Sequence, residues 1–305
     1  MVTYPLDRLA LRCGSVAEHL GFLALNDVAA ALDGEDGRVI GGHMVTLHVF
    51  RWGLDLYRAT QDADLGIRPA VVRTPELTDR LISMGYSKTA GNRFERPVSG
   101  LGAESADPPK AVIDILIPAY TSRPRANRSF GDHLVTTEVP GLATAFKRSA
   151  TDLNLEVVML DGEKLEMDIR LPDEAGALIL KVLARTVRNE DRDAVDVWRA
   201  LEVCQAAGIE NVDLGADENA VRNVLATQFS RKGGAMDQIR LAQNLSDESA
   251  AALETRMQAL MARVVGEEGR PGNERDPTVG TGDPHRPGGR TSSRRQRMSD
   301  PGMSL

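Results

Sequence analysis

An aspartate stranded in an apolar run constrains this chain more than any other feature. From Ala111 to Pro118 the sequence reads Ala-Val-Ile-Asp-Ile-Leu-Ile-Pro, which predicts a buried strand carrying a single acid, Asp114. A carboxylate on such a strand is costly unless it is paired with a cation or coordinates one. A second acidic stretch, Asp62-Ala63-Asp64-Leu65-Gly66-Ile67, also predicts a strand. Residues two apart on a strand share a face, with Cα atoms roughly 6.5–7 Å apart. Converging from there, two carboxylates repel by about 3–4 kcal/mol at an effective dielectric near 20. If the two strands are neighbours, three carboxylates gather at one place, and hard oxygen ligands of this kind suit Mg²⁺. Two such ions about 3.5–4 Å apart are the arrangement for in-line displacement at phosphorus.

Around these strands the periodicities alternate between 3.6 and 2. Ser15 to Leu32 is spaced as an amphipathic helix closed by Asp33-Gly34, and Arg38-Val39-Ile40 is a short extended piece running into Gly41-Gly42. Met44 to Leu56 reads as helix, Pro75 opens another that Gly85 closes, and Arg93 to Val98 is a further strand. Leu155 to Leu160 and Lys164 to Leu171 flank Asp161-Gly162, a hairpin signal. After Pro172 only helical spacing remains, in Glu174–Val187, Arg192–Ala207, Glu218–Phe229 and Ser246–Val265. The expected architecture is α+β: residues 1–172 form a small mixed sheet with helices, residues 173–265 a helical domain, and residues 266–305 a disordered basic tail.

Charge and cysteine usage narrow the function classes. The 305 residues carry a formal charge of −7, which excludes a basic coat for nucleic acid. From Arg270 onward seven arginines face four acids, so the tail runs against that balance, with Arg290, Arg294, Arg295 and Arg297 clustered. Cys13 and Cys204 are too few for a disulfide framework, and Met1 to Gly14 lacks a signal-peptide pattern. No apolar run approaches the ~20 residues that span a bilayer. The expectation is a cytoplasmic protein with no membrane partner.

Upstream of the acidic pair, Gly41-Gly42 sits between a strand and a helix. Glycines there let a phosphate approach the backbone, while the helix N-terminus offers free N–H groups and a positive dipole end. The order strand, Gly-Gly, helix, Asp-x-Asp strand, lone-Asp strand resembles the polymerase β-like nucleotidyltransferases. The stretch Arg58-Ala59-Thr60-Gln61-Asp62-Ala63-Asp64-Leu65 is similar to the signature of AbiEii/AbiGii-type nucleotidyltransferases, toxins of toxin–antitoxin and abortive-infection systems. Leu180-Lys181-Val182-Leu183-Ala184 resembles that family's lysine motif, and Arg192-Asp193-Ala194-Val195-Asp196 its Asp-x-x-Asp helix, with Asp196 as the second aspartate. The likeness covers roughly residues 20 to 205. Two departures stand out: nineteen residues separate Gly42 from Asp62, a longer interval than the family's, and His43 replaces a small or hydroxyl residue. An extra helical turn around Arg51-Trp52-Gly53 would account for the first.

What the resemblance implies is transfer of a nucleoside monophosphate from a nucleoside triphosphate to an acceptor, with two Mg²⁺ ions. Asp62, Asp64 and Asp114 would bind metal, and Asp114 or its bound water would take the acceptor's proton. Gly41, Gly42, Arg58, Thr60 and Lys181 would steady the nucleotide, with Asp196 completing the catalytic set. A toxin role, tRNA as acceptor and a cognate antitoxin as partner follow from the resemblance alone. Other readings remain open residue by residue. Lys181 also fits a solvated helix face, Asp196 an ion pair with Arg192 or Arg199, Asp193 a surface or helix-start acid, and Arg58 a surface arginine. Arg123, Arg125 and Arg128 form a basic loop suited to an RNA end or simply exposed. The alternatives for the whole chain are transfer to a small molecule such as an aminoglycoside, a catalytically silent nucleotide-binding or interaction module, and a structural protein whose acids are ion-paired. The five histidines show no metal-ligand spacing, and no nucleophile motif or phosphate loop is present.

Overall fold

The alternation that sets Asp62 and Asp64 against Ala63, Leu65 and Ile67 decides how the central sheet assembles. In the computed structural model, which describes residues 5–101, 108–121, 123–230 and 234–266, Ala63, Leu65 and Ile67 are fully buried while both aspartates face the other side. A slip of one residue would drive both carboxylates into the core, so burial fixes the register.

The elements run as follows. Strand β1 (Arg8–Arg12) and helix α1 (Val16–Leu32) lead to β2 (Gly37–Ile40), α2 (Gly41–Arg51) and β3 (Asp62–Ile67). Then come α3 (Glu76–Ser83), β4 (Ser87–Lys88), β5 (Arg93–Pro97), β6 (Lys110–Pro118), β7 (Arg128–Phe130), β8 (Leu134–Val139) and α4 (Leu142–Lys147). The hairpin β9 (Ala150–Val158) and β10 (Lys164–Pro172) precedes α5 (Glu174–Ala184), α6 (Asp191–Ala206), α7 (Glu218–Gln228), α8 (Ala235–Ala242) and α9 (Asp247–Val264). The architecture is α+β with mixed sheets.

Strands β2-β3-β6-β5-β4 lie side by side, with β3 and β6 parallel. Strand β5 pairs with the first half of β6 and β8 with its last three residues, so β6 is flanked along most of its length. Ile113, Ile115 and Ile117 join Ala63, Leu65 and Ile67 in a core closed by α1 through Phe22, Leu25 and Val28. A second sheet, β1-β9-β10, packs into the same core through Leu153, Leu155, Ile169 and Leu171. Ser15 caps α1 by accepting a hydrogen bond from the Glu18 N–H, and the Glu18 carboxylate reaches back to Gly14 N–H.

Pro172 ends the last strand, and Asp173 caps α5 by accepting from Gly176 N–H at 2.8 Å. The helices beyond it pack on one another through Leu178, Val182, Leu201, Leu225 and Phe229. They also share an apolar cluster with the sheet half, in which Leu180, Ala177 and Val203 meet Ile40, Met44 and Leu142. Three particulars differ from the sequence expectation. Helix α2 begins at Gly41 and ends at Arg51, so the long interval before Asp62 is not a helical turn. Trp52 and Gly53 only close α2, and the residues to Gln61 are irregular. The β9–β10 connection is longer than a two-residue hairpin, with Gly162 at φ +88° inside it. Strands β1, β4, β7 and β8 and helices α4 and α8 have no counterpart in the sequence expectation. The segment expected as a disordered tail lies outside the described residues from 267 onward. Among the described residues, no helix is long and apolar enough to cross a membrane.

Candidate active site

Parallel pairing of β3 with β6 sets Asp64 directly beside Asp114, with Asp62 opposite Val112. All three carboxylates therefore emerge on one face, as the alternation required. They line a polar cleft of about 300 Å³ together with Gly42, Arg58, Thr60, Lys181 and Asp196. The residues come from well-separated stretches, so tertiary packing alone brings them together. Gly41 does not line the cleft but sits against Asp64, and its conformation is demanding: φ is +69°, and a Cβ there would stand 1.8 Å from Asp64 Oδ2. At Gly42 a Cβ would meet Thr60 Oγ1 at 2.2 Å, so both glycines are fixed by close approach. No side chain caps the first turn of α2, whose N–H groups start from these glycines.

The cation among the three carboxylates is a guanidinium that the sequence did not single out. Arg93, opposite Asp114 on the neighbouring strand, donates to Asp114 through Nη2 at 2.7 Å and Nε at 3.2 Å. The same Nη2 reaches Asp62 Oδ2 at 3.3 Å. Asn92 adds a bond to Asp114 Oδ1 at 3.2 Å. The Asp114 and Asp62 carboxylates hold the Arg93 pKa above its usual value, chiefly through the hydrogen bonds to Asp114. In this arrangement no group of three or more His, Cys, Asp or Glu is gathered closely enough to hold a metal ion, among the described residues. The trio meets, but Arg93 holds two of its members.

Asp64 is the exception. Among the described residues no donor reaches its carboxylate. Burial, and then the neighbouring charge of Asp114, push its pKa up to about 6, against the opposing pull of Lys181 and Arg188. Asp62 is raised as well, by burial first. In this arrangement both oxygens of Asp114, the residue expected to take the acceptor's proton, accept from Arg93, so that role requires Arg93 to move away.

Across the cleft, Lys181 on α5 is neither solvated nor free. It is buried, and its ammonium sits 2.8 Å from Asp196 Oδ2. Asp196, on α6, is 1% exposed and also accepts from Arg58 Nη2 at 3.0 Å and from Arg199 Nη1 at 3.0 Å. Burial raises its pKa, but these three cations outweigh that and hold it below the carboxylate range. The ion pair with Arg199 is present, and Arg192 pairs with Glu190 instead. Arg58 is thus a buried-pair partner rather than a surface arginine. Asp193 starts α6 but is not a surface acid. It is 1% exposed and held by Arg188 through two bonds, of 2.8 and 3.1 Å.

Arg188, on the connection into α6, and Arg192, in the first turn of α6, also line the cleft, and neither is a candidate in the sequence reading. His43 turns away from it, buried against Phe22 with neither ring nitrogen bonded, and burial lowers its pKa to about 3. It is neutral packing, not a phosphate ligand. Arg123 and Arg125 are exposed and Arg128 pairs with Glu138 at 2.8 Å, and none of the three lines the cleft. A larger hollow of about 650 Å³ between α1, β2 and β9–β10 shares no lining residue with the cleft. The converging charged groups are in the smaller one.

No family model matches the chain, and no curated protein matches it. Among solved structures, JHP933 from Helicobacter pylori is similar over 81% of this chain and 92% of that one, at 12% identity and a TM-score of 0.32. A likeness of that degree carries no argument about activity.

Proposed function

We propose that this chain is a nucleotidyltransferase that moves a nucleoside monophosphate from a nucleoside triphosphate to an acceptor, releasing pyrophosphate. The observation that carries the reading is convergence. Gly42, Arg58, Thr60, Asp62, Asp64, Asp114, Lys181 and Asp196 line one cleft beside the uncapped N-terminus of α2. Separate structural roles for each would not require a common cavity.

In this reading the first turn of α2 and the guanidinium groups of Arg188 and Arg192 bind the triphosphate, while Gly41 and Gly42 give it room. The carboxylates of Asp62, Asp64 and Asp114 have the hard oxygen chemistry that Mg²⁺ takes, and Asp64 has lone pairs free for it. Arg93 must release Asp62 and Asp114 before all three can serve. Its side chain is 39% exposed, which leaves it room to swing outward. Bound Mg²⁺ would supply charge neutralisation to the phosphates. Once Arg93 has moved, Asp114 or its bound water takes the acceptor's proton. Lys181, tied to Asp196, acts by positioning α5 against the cleft rather than as a mobile phosphate ligand.

The biological role we propose is that of a toxin in a toxin–antitoxin or abortive-infection system, with tRNA as acceptor and a cognate antitoxin as partner. Its support is the motif order from Gly41-Gly42 to Asp196. Incubation with Mg²⁺, each labelled nucleotide and total RNA yields labelled RNA in this reading. Label on an aminoglycoside-like small molecule instead supports the second acceptor class, and label on neither supports a silent binding module. Asp62→Ala abolishes labelling with the fold retained. A variant that labels as well as the parent refutes the mechanism.

A further inference from the structure

A second hollow, of about 170 Å³, opens beside the polar cleft and differs from it in character. Ile40, Met44, Leu116, Val139, Leu180 and Ala184 form its walls, and Val187, 61% exposed, stands at its mouth. Glu138 and Thr137 are polar groups at its edge. Asp64, Lys181 and Arg188 line both spaces, so the hollow and the cleft meet at those three residues. Asp62, Asp114 and Arg93 line the cleft alone.

A nucleoside triphosphate is divided in the same way. One end is a polyanion and the other a flat ring with apolar faces that pack on hydrophobic side chains. Ligand sites of roughly 300–1,000 Å³ are typically apolar with a few placed polar groups, and the two spaces of about 300 and 170 Å³ together fit that description. The order of residues also gives a direction. The hollow lies on the Lys181 and Arg188 side of Asp64, while Asp62, Asp114 and the half-exposed Arg93 occupy the other side.

We propose that the apolar hollow takes the nucleobase of the donor nucleotide, which leaves the Asp62 and Arg93 end of the cleft for the acceptor. The inference rests on the nucleotidyltransferase reading and adds where the donor's base lies. Gly41 lines the hollow as well, and a Cβ there would stand 1.8 Å from Asp64 Oδ2, so a side chain at this position would displace the residue where hollow and cleft meet.

Calorimetric titration in Mg²⁺ with a nucleoside triphosphate and with inorganic tripolyphosphate tests it. The parent protein binds the nucleotide more tightly than tripolyphosphate. Ala184→Trp fills the hollow, so nucleotide affinity falls by about tenfold or more, to the tripolyphosphate level, while tripolyphosphate affinity is unchanged. If the tryptophan substitution does not fold, as melting would reveal, Ala184→Leu gives the same selective loss to a lesser degree. Unchanged nucleotide affinity in a folded variant overturns the hollow's assignment and leaves the transferase reading standing. Equal loss of both ligands overturns it too, since the effect is then not on the base. A parent protein that binds neither ligand removes both proposals.

Discussion

Replacing Asp64 by asparagine separates what this residue does for the fold from what it does for chemistry. The carboxylate has no donor among the described residues, and burial followed by Asp114 lifts its pKa from the ordinary 3.8 to about 6. The unfolded chain releases this proton near the ordinary value and the folded chain only near 6. Between those pH values the folded state holds more proton, so its stability falls as pH rises. Below about 4 both states are protonated and there is no cost, and above about 6 the cost is fully present. The displacement corresponds to about 3 kcal/mol, and contact of the carboxylate with cleft water reduces this to about 1–3 kcal/mol. Asp64→Asn keeps the shape and removes the charge. At pH 8 the variant is therefore more stable than the parent by that amount, a rise of roughly 2–12 °C in Tm for a domain of this size. Near pH 4 the two melt together. Mg²⁺ raises the parent's Tm and not the variant's, and transfer activity is lost. Melting curves at pH 8, 6 and 4.5, with and without Mg²⁺, read all of this. A variant that melts at or below the parent's temperature at pH 8 refutes the claim that Asp64 is held under strain.

Two other substitutions act on the charges around it. Arg93→Ala removes three charge-assisted hydrogen bonds that a divalent ion would have to displace, so Mn²⁺ affinity rises by about tenfold or more in a direct binding titration, and unchanged affinity contradicts the competition. Asp196→Asn leaves Lys181, Arg58 and Arg199 without their shared carboxylate, a loss of about 3–5 kcal/mol in denaturant unfolding. Lys181→Met costs less, since Asp196 keeps two partners, and an Asp196→Asn effect below about 1 kcal/mol would show that the cluster is not structural.

Much of the site was legible because strand periodicity has only two faces. Once Ala63 and Ile113 are assigned to the core, Asp62, Asp64 and Asp114 have one side left to occupy. Arg93 was hidden for the opposite reason. Its position at the start of a strand was clear, but its partner depends on cross-strand register, and only the pairing of Arg93 with Asp114 reveals it. Arg58 looks like a surface charge in sequence because loop spacing carries no information about α6 packing beside it, and Asp193 because a helix start does not show that Arg188 folds back onto it. The shortest elements, β4, β7 and α4, have too few residues for a period to emerge. Strand β1 exists because β9 offers it an edge, a pairing between residues 8–12 and 154–158. His43 after Gly42 suggested an altered phosphate pocket, yet α1 packs so closely on it that the ring is simply core.

The charge balance of the cleft bears on what enters it. Asp62, Asp64, Asp114, Asp193 and Asp196 face Arg58, Arg93, Lys181, Arg188 and Arg192, five acids against five bases. A bare polyanion gains attraction from one group and repulsion from the next, and so does a bare divalent cation. Most of these charges are spoken for in pairs: Arg188 with Asp193, Lys181 and Arg58 with Asp196, Arg93 with Asp62 and Asp114. A ligand that carries both signs meets the cleft differently, because its cations can take over the carboxylates as its phosphates take over the guanidinium groups. Arg93 is the hinge of that exchange, since it is the cation on the two outer carboxylates and more than a third of its side chain lies in solvent. Metal and nucleotide should therefore bind cooperatively, each strengthening the other by the same factor. Titration of Mg²⁺ at increasing nucleotide concentration measures that factor, and independent binding of the two would remove Arg93 from the role given to it here.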